Sequence, residues 1–260
     1  MKIGIVTGAS SGMGQEFVLQ MQKRCQNLEE IWVIARREKN LQKLPKTPIP
    51  LRILPFDLTK ESDLRHYKEE LEKRRPQICM LIHCAGIGML GRMDEITADD
   101  QMQEVSLNCT ALTAVTLYAL PFLREKSRVI ELVSAAAFAP QPGFGVYAAT
   151  KAYGLYFTRT LRAELKKKKI TVTAVCPGPV DTPFFAYAER GKKRPAFKNL
   201  FLADPKKVVK KALGDSKKGK ALSIYGVWMK VWYMAAKVIP DSIILSVMIR
   251  AGKENEQKKG

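Results

Sequence analysis

Short apolar runs alternate along this chain with stretches whose apolar residues recur every three or four positions. The runs are Lys2–Thr7, Ile31–Ala35, Leu51–Phe56, Ile78–His83, Arg128–Val133, Thr171–Cys176 and Ala221–Ile224. Their length and β-branched content predict strands. The helical pattern covers Gly14–Cys25, Glu61–Arg74, Ala98–Arg124 with Pro121 near its end, Val146–Lys168 and Pro205–Leu213. Strands that are apolar throughout, rather than alternating, suit a parallel sheet covered on both faces. The regular strand–helix alternation therefore predicts an α/β protein with a doubly wound sheet, its switch point after the first strand.

No internal repeat, low-complexity block or Pro/Gly/Ser linker divides the chain. Residues 1–227 read as one domain and residues 228–260 as an apolar and basic extension of that same domain. Trp228–Ile249 is rich in Met and Trp, but Lys230, Lys237, Pro240 and Asp241 interrupt it, so it falls short of a clean membrane span. Three roles fit it: a lid over the active site, a subunit contact, or a segment lying on a membrane with basic flanks.

Composition narrows the function classes. The net charge of +19 gathers at Lys166–Lys169, Lys192-Lys193-Arg194, Lys206-Lys207, Lys210-Lys211, Lys217-Lys218-Lys220 and the tail. Such charge solvates a surface, or draws an anionic cofactor, substrate or membrane. Nucleic acid is not an expected partner, because no helix-turn-helix, zinc finger or aromatic-interleaved basic segment accompanies the charge. The cysteines at 25, 79, 84, 109 and 176 are odd in number and lack paired spacing, and a strand-like run begins at Lys2, where a signal peptide would lie. Both features predict free thiols and a cytoplasmic setting. The two histidines, His66 and His83, belong to no His/Cys cluster with metal-ligand spacing, so a catalytic metal is not expected.

Four local patterns carry chemistry. Thr7-Gly8-Ala9-Ser10-Ser11-Gly12-Met13-Gly14 lies between a predicted strand and a predicted helix. Glycines at 8, 12 and 14 let the backbone turn and approach a pyrophosphate, which the following helix N-terminus attracts. The strand 31–35 ends in Arg36-Arg37, where an NAD site carries an acid for the ribose 2′-hydroxyl. Arginines there suit the 2′-phosphate of NADP, with Arg36 as the main contact, although Glu38 follows directly. Tyr147 and Lys151 stand four apart, on one face of a helix. A nearby ammonium stabilises a phenolate and so fits a tyrosine for proton exchange. Tyr153 and Tyr156 have no such lysine and read as packing residues. Ser134 follows the strand 128–133, where α/β sheets place ligands. No Gly-x-Ser-x-Gly elbow or acid–His pair marks it as a hydrolase nucleophile.

In this order the motifs resemble the short-chain dehydrogenase/reductase family over roughly residues 2–225. The resemblance rests on TGASSGMG at 7–14, Asp57-Leu58, Cys84-Ala85-Gly86, Asn108, Ser134, YAATK at 147–151 and Pro177-Gly178-Pro179-Val180-Asp181-Thr182. It implies a Rossmann-type domain with a seven-stranded parallel sheet, a homodimer or homotetramer, and a small-molecule carbonyl or alcohol substrate. It also implies roles. Tyr147 is the acid–base, Lys151 holds the nicotinamide ribose and tunes Tyr147, Ser134 orients the carbonyl, and Asn108 positions a water in a relay to Lys151. Gly8, Ser10, Ser11, Gly12, Met13 and Gly14 cradle the phosphates. Asp57 and Leu58 lie near the adenine. Cys84, Ala85, Gly86, Pro177, Gly178, Val180 and Thr182 surround the cofactor. One departure is Cys84, where the family usually has an asparagine whose amide supports the cofactor loop. His83 beside it reads as a packed strand-end residue.

The segment after Thr182 covers the substrate in this family. Here Phe184-Phe185-Ala186-Tyr187, together with Phe138, Pro140 and Phe144, is expected to line an apolar pocket for a steroid, bile acid or fatty acyl ketone. Lys192 and Lys193 would instead suit an acidic substrate, such as an acyl thioester. A catalytically silent dinucleotide sensor or scaffold is the alternative, and such a protein would be expected to have lost Tyr147, Lys151 or Ser134.

Overall fold

A computed structural model describes residues 1–25, 27–45, 48–189 and 202–257. Seven strands form one parallel sheet: β1 (Lys2–Thr7), β2 (Glu30–Ile34), β3 (Leu51–Leu54), β4 (Gln77–His83), β5 (Leu123–Leu132), β6 (Thr171–Val175) and β7 (Leu222–Ser223). Their spatial order is β3-β2-β1-β4-β5-β6-β7. The order reverses beside β1, so the carboxyl ends of β1 and β4 diverge into a crevice, as the doubly wound pattern requires.

The helices are α1 (Gly12–Arg24), α2 (Glu38–Gln42), α3 (Glu61–Arg74), α4 (Ala98–Val105), α5 (Leu112–Ala119), α6 (Gly145–Leu165), α7 (Phe184–Glu189), α8 (Pro205–Lys217), α9 (Val227–Val238) and α10 (Asp241–Gln257). Successive strand residues feed opposite faces. Ile5, Trp32, Leu81 and Val129 join the core under α3, α5 and α6. Val6, Val33, Ile82 and Ile130 join the core under α1 and α8. This two-sided burial explains why the strands read as unbroken apolar runs.

Local chemistry sets the boundaries. Asp204 caps α8 by accepting from Lys206 N at 2.8 Å, with Pro205 in its first turn. Thr97 caps α4 by accepting from Asp100 N at 3.2 Å. The expected helix 98–124 is divided: a π-helical turn, Ser106–Ala111, joins α4 to α5, and a 3₁₀ turn at Leu120–Phe122 ends the run. Leu123 and Arg124 already belong to β5, which therefore starts five residues before the apolar run does. The early part is polar because it bulges: Leu123 pairs with Ile78 and Arg128 with Met80. Ser127 holds the bulge, donating to Ile78 O at 2.6 Å and accepting from Arg124 N at 2.9 Å.

The run Ala98–Phe122 has the length and apolarity of a membrane span, but Asn108, Ala111, Leu112, Val115, Thr116 and Ala119 bury its inner face in the domain. It is a core helix. Tyr153 and Tyr156 correct another expectation. They lie on the exposed face of α6, where Tyr153 stacks on Phe157 and Tyr156 sits under Arg159.

Candidate active site

The crevice opens into a cavity of ≈ 1220 Å³. The glycine loop forms one end. Gly8 has φ +64°, and a Cβ there would meet Ala85 N at 2.8 Å. A Cβ on Gly14 would overlap the Gly8 carbonyl. The backbone thus packs so closely on itself that only glycine serves at either place. Ser11 precedes α1 in an extended conformation and makes no side-chain bond to the helix. The leading N–H groups of α1 lack a side-chain cap, and Ser10 and Ser11 line the cavity beside them. This is the arrangement an oxyanion group such as a pyrophosphate requires.

The missing asparagine at position 84 is replaced by other bonds. The Thr7 hydroxyl accepts from Cys84 N at 3.2 Å and Ala85 N at 3.1 Å. Two residues on, the Asn108 side chain accepts from Ile87 N at 3.0 Å and donates to Ile87 O at 2.8 Å. The loop after β4 is thereby tied to β1 below and to the π-helical turn above. Asn108 also donates to Thr150 Oγ1 at 3.0 Å, which links that turn to α6. Its amide is fully spent on structure. Of the expected catalytic and cofactor residues, Asn108 alone does not line the cavity; it stands behind Gly86, where a Cβ would lie 3.1 Å from its Oδ1.

Arg36 and Arg37 lie just past β2, exposed and lining the far end of the cavity. Asp57 and Leu58 line the same end. The Asp57 carboxylate accepts from Thr59 N at 3.1 Å and Thr59 Oγ1 at 2.7 Å, closing the turn that leads into α3.

Helix α6 carries the reactive pair. Tyr147 and Lys151 lie on its buried face, with Lys151 Nζ 5.6 Å from the Tyr147 ring centroid. Lys151 donates to Leu132 O at 3.0 Å, which anchors the ammonium to the end of β5. Burial pushes the Lys151 pKa down to about 8, while neighbouring thiols and carboxyls oppose that shift. Burial raises the Tyr147 phenol, and its hydrogen bond with Ser134 works the other way. Ser134 itself accepts from Ala136 N at 3.1 Å, which fixes its hydroxyl at the mouth of β5. Phe144 stacks on Tyr147 at 4.2 Å and Phe184 tilts against it at 5.5 Å.

A buried polar group lies beneath this pair. His83 and Glu131 are register partners on β4 and β5, at 1% and 0% exposure. Thr7 Oγ1 lies 3.2 Å from His83 Nδ1. Both acceptor sites of Thr7 are taken by Cys84 and Ala85, so its hydroxyl donates to Nδ1 and the proton of the neutral ring sits on Nε2. Burial, helped by Lys151, lowers His83 to about 3. Glu131 accepts from Thr116 Oγ1 at 3.1 Å, and burial raises it to about 8. Glu104, one turn before Asn108, is buried and raised to about 7. His83 thus packs at a strand end as expected, whereas Glu131 and Glu104 were missed. The signal for Glu131 is its place as the lone acid inside an apolar strand.

The remainder of the cavity is apolar. Phe144, Phe184, Phe185 and Tyr187 line it. Phe138, Pro140 and Ala186 do not, contrary to expectation; Phe138 instead packs on Tyr233 of α9 at 4.9 Å. Helix α9 supplies a wall that the motifs did not reveal: Trp228, Met229, Val231, Trp232 and Ala235, joined by Met248 of α10. Of the three roles weighed for this segment, the lid therefore has direct geometric support. Arg92, Glu95 and Gln141 are the polar groups on this side. The Lys192-Lys193-Arg194 cluster lies outside the described residues.

Sequence and structure comparisons bear on this geometry. Residues 2–193 match the short chain dehydrogenase family model. The chain is 26% identical over 196 residues to an uncharacterized oxidoreductase of Staphylococcus epidermidis, covering 74% of this chain and 84% of that protein. It is 31% identical over 188 residues to the 11-beta-hydroxysteroid dehydrogenase-like 3 protein of Arabidopsis thaliana, covering 70% of this chain and 60% of that one. Among solved structures it resembles a short-chain dehydrogenase from Sphingobium yanoikuyae in complex with NADPH, with a TM-score of 0.78, 24% identity and 95% coverage of both chains. A 7beta-hydroxysteroid dehydrogenase superposes with a TM-score of 0.79 at 16% identity, over 95% of this chain and 96% of that one. Family model, seven-stranded sheet order and convergent site agree: the chain belongs to the short-chain dehydrogenase/reductase family of oxidoreductases.

Proposed function

We propose that this protein is an NADP-dependent oxidoreductase that interconverts an apolar ketone and its secondary alcohol. One observation carries the reading. Tyr147, hydrogen-bonded to Ser134 and backed by Lys151, lines a single cavity with the glycine cradle at one end and aromatic walls at the other. The cradle that any Cβ would fill suits a dinucleotide pyrophosphate. Arg36 and Arg37 suit a 2′-phosphate through planar, charge-assisted contacts. The NADPH complex of the Sphingobium protein supports that preference.

When bound, the reduced dinucleotide supplies a hydride to the carbonyl carbon. The chain's own residues do the rest. Ser134 and Tyr147 donate hydrogen bonds to the substrate oxygen. Tyr147 gives up its proton as that oxygen gains charge, and takes one in the reverse direction. The phenol is protonated at neutral pH, and its hydrogen bond with Ser134 eases release of that proton against the effect of burial. Lys151, charged below about pH 8, stabilises the phenolate left behind. The Asn108 amide is committed to Ile87 and Thr150, so its side chain is not available for a water relay.

The aromatic walls exclude water and fit a steroid, bile acid or fatty acyl skeleton. The hydroxysteroid dehydrogenase-like relatives support this substrate class. A cytoplasmic homodimer or homotetramer completes the reading, with size-exclusion chromatography as its check. A silent sensor is less supported, because Ser134, Tyr147 and Lys151 converge on the cavity.

NADPH oxidation against steroids, bile acids, acyl thioesters and small diketones tests the proposal. Turnover of an apolar ketone with NADPH, reduced at least about 100-fold in Tyr147→Phe, is expected. Preference for NADH would overturn the cofactor assignment. Tight NADPH binding with no turnover of any ketone would favour the sensor.

A further inference from the structure

Helix α9 has two apolar faces, and only one is covered. Met229, Trp232 and Tyr233 point inward: Met229 packs over Gly178, Trp232 Nε1 donates to Ala135 O at 3.4 Å, and Tyr233 packs on Phe138. The outward stripe, spaced by seven and four residues, is Val227, Met234 and Val238. Met234 and Val238 are 57% and 78% exposed. Helix α10 continues the surface with Ile243 and Val247, 54% and 62% exposed. A helix that is apolar around its circumference needs cover on both sides, and a contiguous exposed patch of this kind marks a docking surface.

We propose that the outward face of α9 and α10 docks on an anionic lipid bilayer. Charge selects that occupant. Lys230 and Lys237 are seven residues apart, so they flank the apolar stripe on one side of α9, and Arg250 extends the basic rim on α10. All three are exposed, and Asp241 at the hairpin turn is the one carboxylate among the described side chains of residues 227–250. An apolar stripe edged by lysines matches a helix lying in a headgroup layer, stems in the acyl boundary and ammonium groups among phosphates. A second copy fits less well: pairing this face with itself sets lysine against lysine within a chain already at +19. Spanning is excluded by length, since the 12 residues of α9 reach about 18 Å against a hydrocarbon core of about 30 Å.

The inner face of the docked helix is a wall of the cavity. If the substrate is the apolar ketone proposed above, docking places the cavity beside the phase in which that ketone dissolves, and this extension rests on that reading.

The test is sedimentation of the full-length protein with vesicles of phosphatidylcholine alone or mixed with phosphatidylglycerol, without cofactor or substrate, so that failed turnover leaves the result interpretable. Binding to the mixed vesicles and not to the neutral ones is expected. Lys230→Gln with Lys237→Gln should weaken it about 25-fold, at about 5-fold per lysine. Met234→Glu with Val247→Glu should abolish binding while reduction of a small soluble ketone persists, since neither residue lines the cavity. Three outcomes would overturn the proposal: no binding to either vesicle, equal binding to both, or a dimer in solution that Met234→Glu converts to monomer.

Discussion

Glu131 gives the most direct check on the buried electrostatics beneath Lys151. Its carboxyl is 0% exposed, and burial raises its pKa from 4.5 to about 8. A folded-state pKa above the unfolded value means that stability is fully present below the unfolded pKa. It is lost as pH rises through the folded one. Between those limits the unfolded chain has released a proton that the native state retains, so stability falls by about 1.4 kcal/mol per pH unit from this group. Integrated from about pH 5.5 to about pH 7.5, with partial native ionisation near the top, the loss is about 2–3 kcal/mol. Glu131→Gln is close in shape to the protonated acid and keeps an acceptor for Thr116. The variant's lead over the parent should widen by about 2–3 kcal/mol from the lower pH to the higher. Lys151 is mostly charged across this window. Guanidinium unfolding of each protein at the two pH values, followed by tryptophan fluorescence, measures the difference. Equal pH slopes would show that Glu131 is ionised in the native state and refute the reasoning.

Three further outcomes are expected. Arg36→Ala should raise the Kd for NADPH about 10- to 100-fold, as loss of a charge-assisted contact implies, and leave that for NADH unchanged; equal effects would remove the arginine from the 2′-phosphate site. Thr7→Val should cost about 1–3 kcal/mol in denaturant unfolding, because Cys84 and Ala85 lose their acceptor and His83 its donor. An unchanged midpoint would mean that other groups replace the hydroxyl. In kcat/KM profiles for reduction, which report the free enzyme, activity should fall as pH rises through about 8, where Lys151 loses its charge. A flat profile through that range would separate Lys151 charge from catalysis.

Much of the site was legible because its chemistry is local. The glycine loop, Arg36-Arg37 and Tyr147–Lys151 each act within one turn or one helix, so spacing alone put the right atoms together. Ser134 was legible for a related reason: strand ends converge in a doubly wound sheet. Phe138 failed the same logic. It is aromatic and near Tyr147 in sequence, but its 3₁₀ turn aims it at Tyr233 and away from the cavity. Asn108 was correctly placed near Lys151, yet its amide serves two backbone groups and a threonine that no spacing rule connects to it.

Periodicity and short motifs report backbone geometry and nearest neighbours, so the sheet, the crevice and the glycine-loop end of the cavity follow from residue order alone. Tertiary structure decided the rest. It set His83 beside Glu131 by pairing strands far apart in the chain, and it shifted Glu131 and Lys151 toward each other in pKa by taking both out of water. It also turned α9 so that one apolar face closes the active site and the other meets solvent, a division that side-chain composition cannot encode. Burial depends on what packs above a residue, and that is known only once the chain has folded.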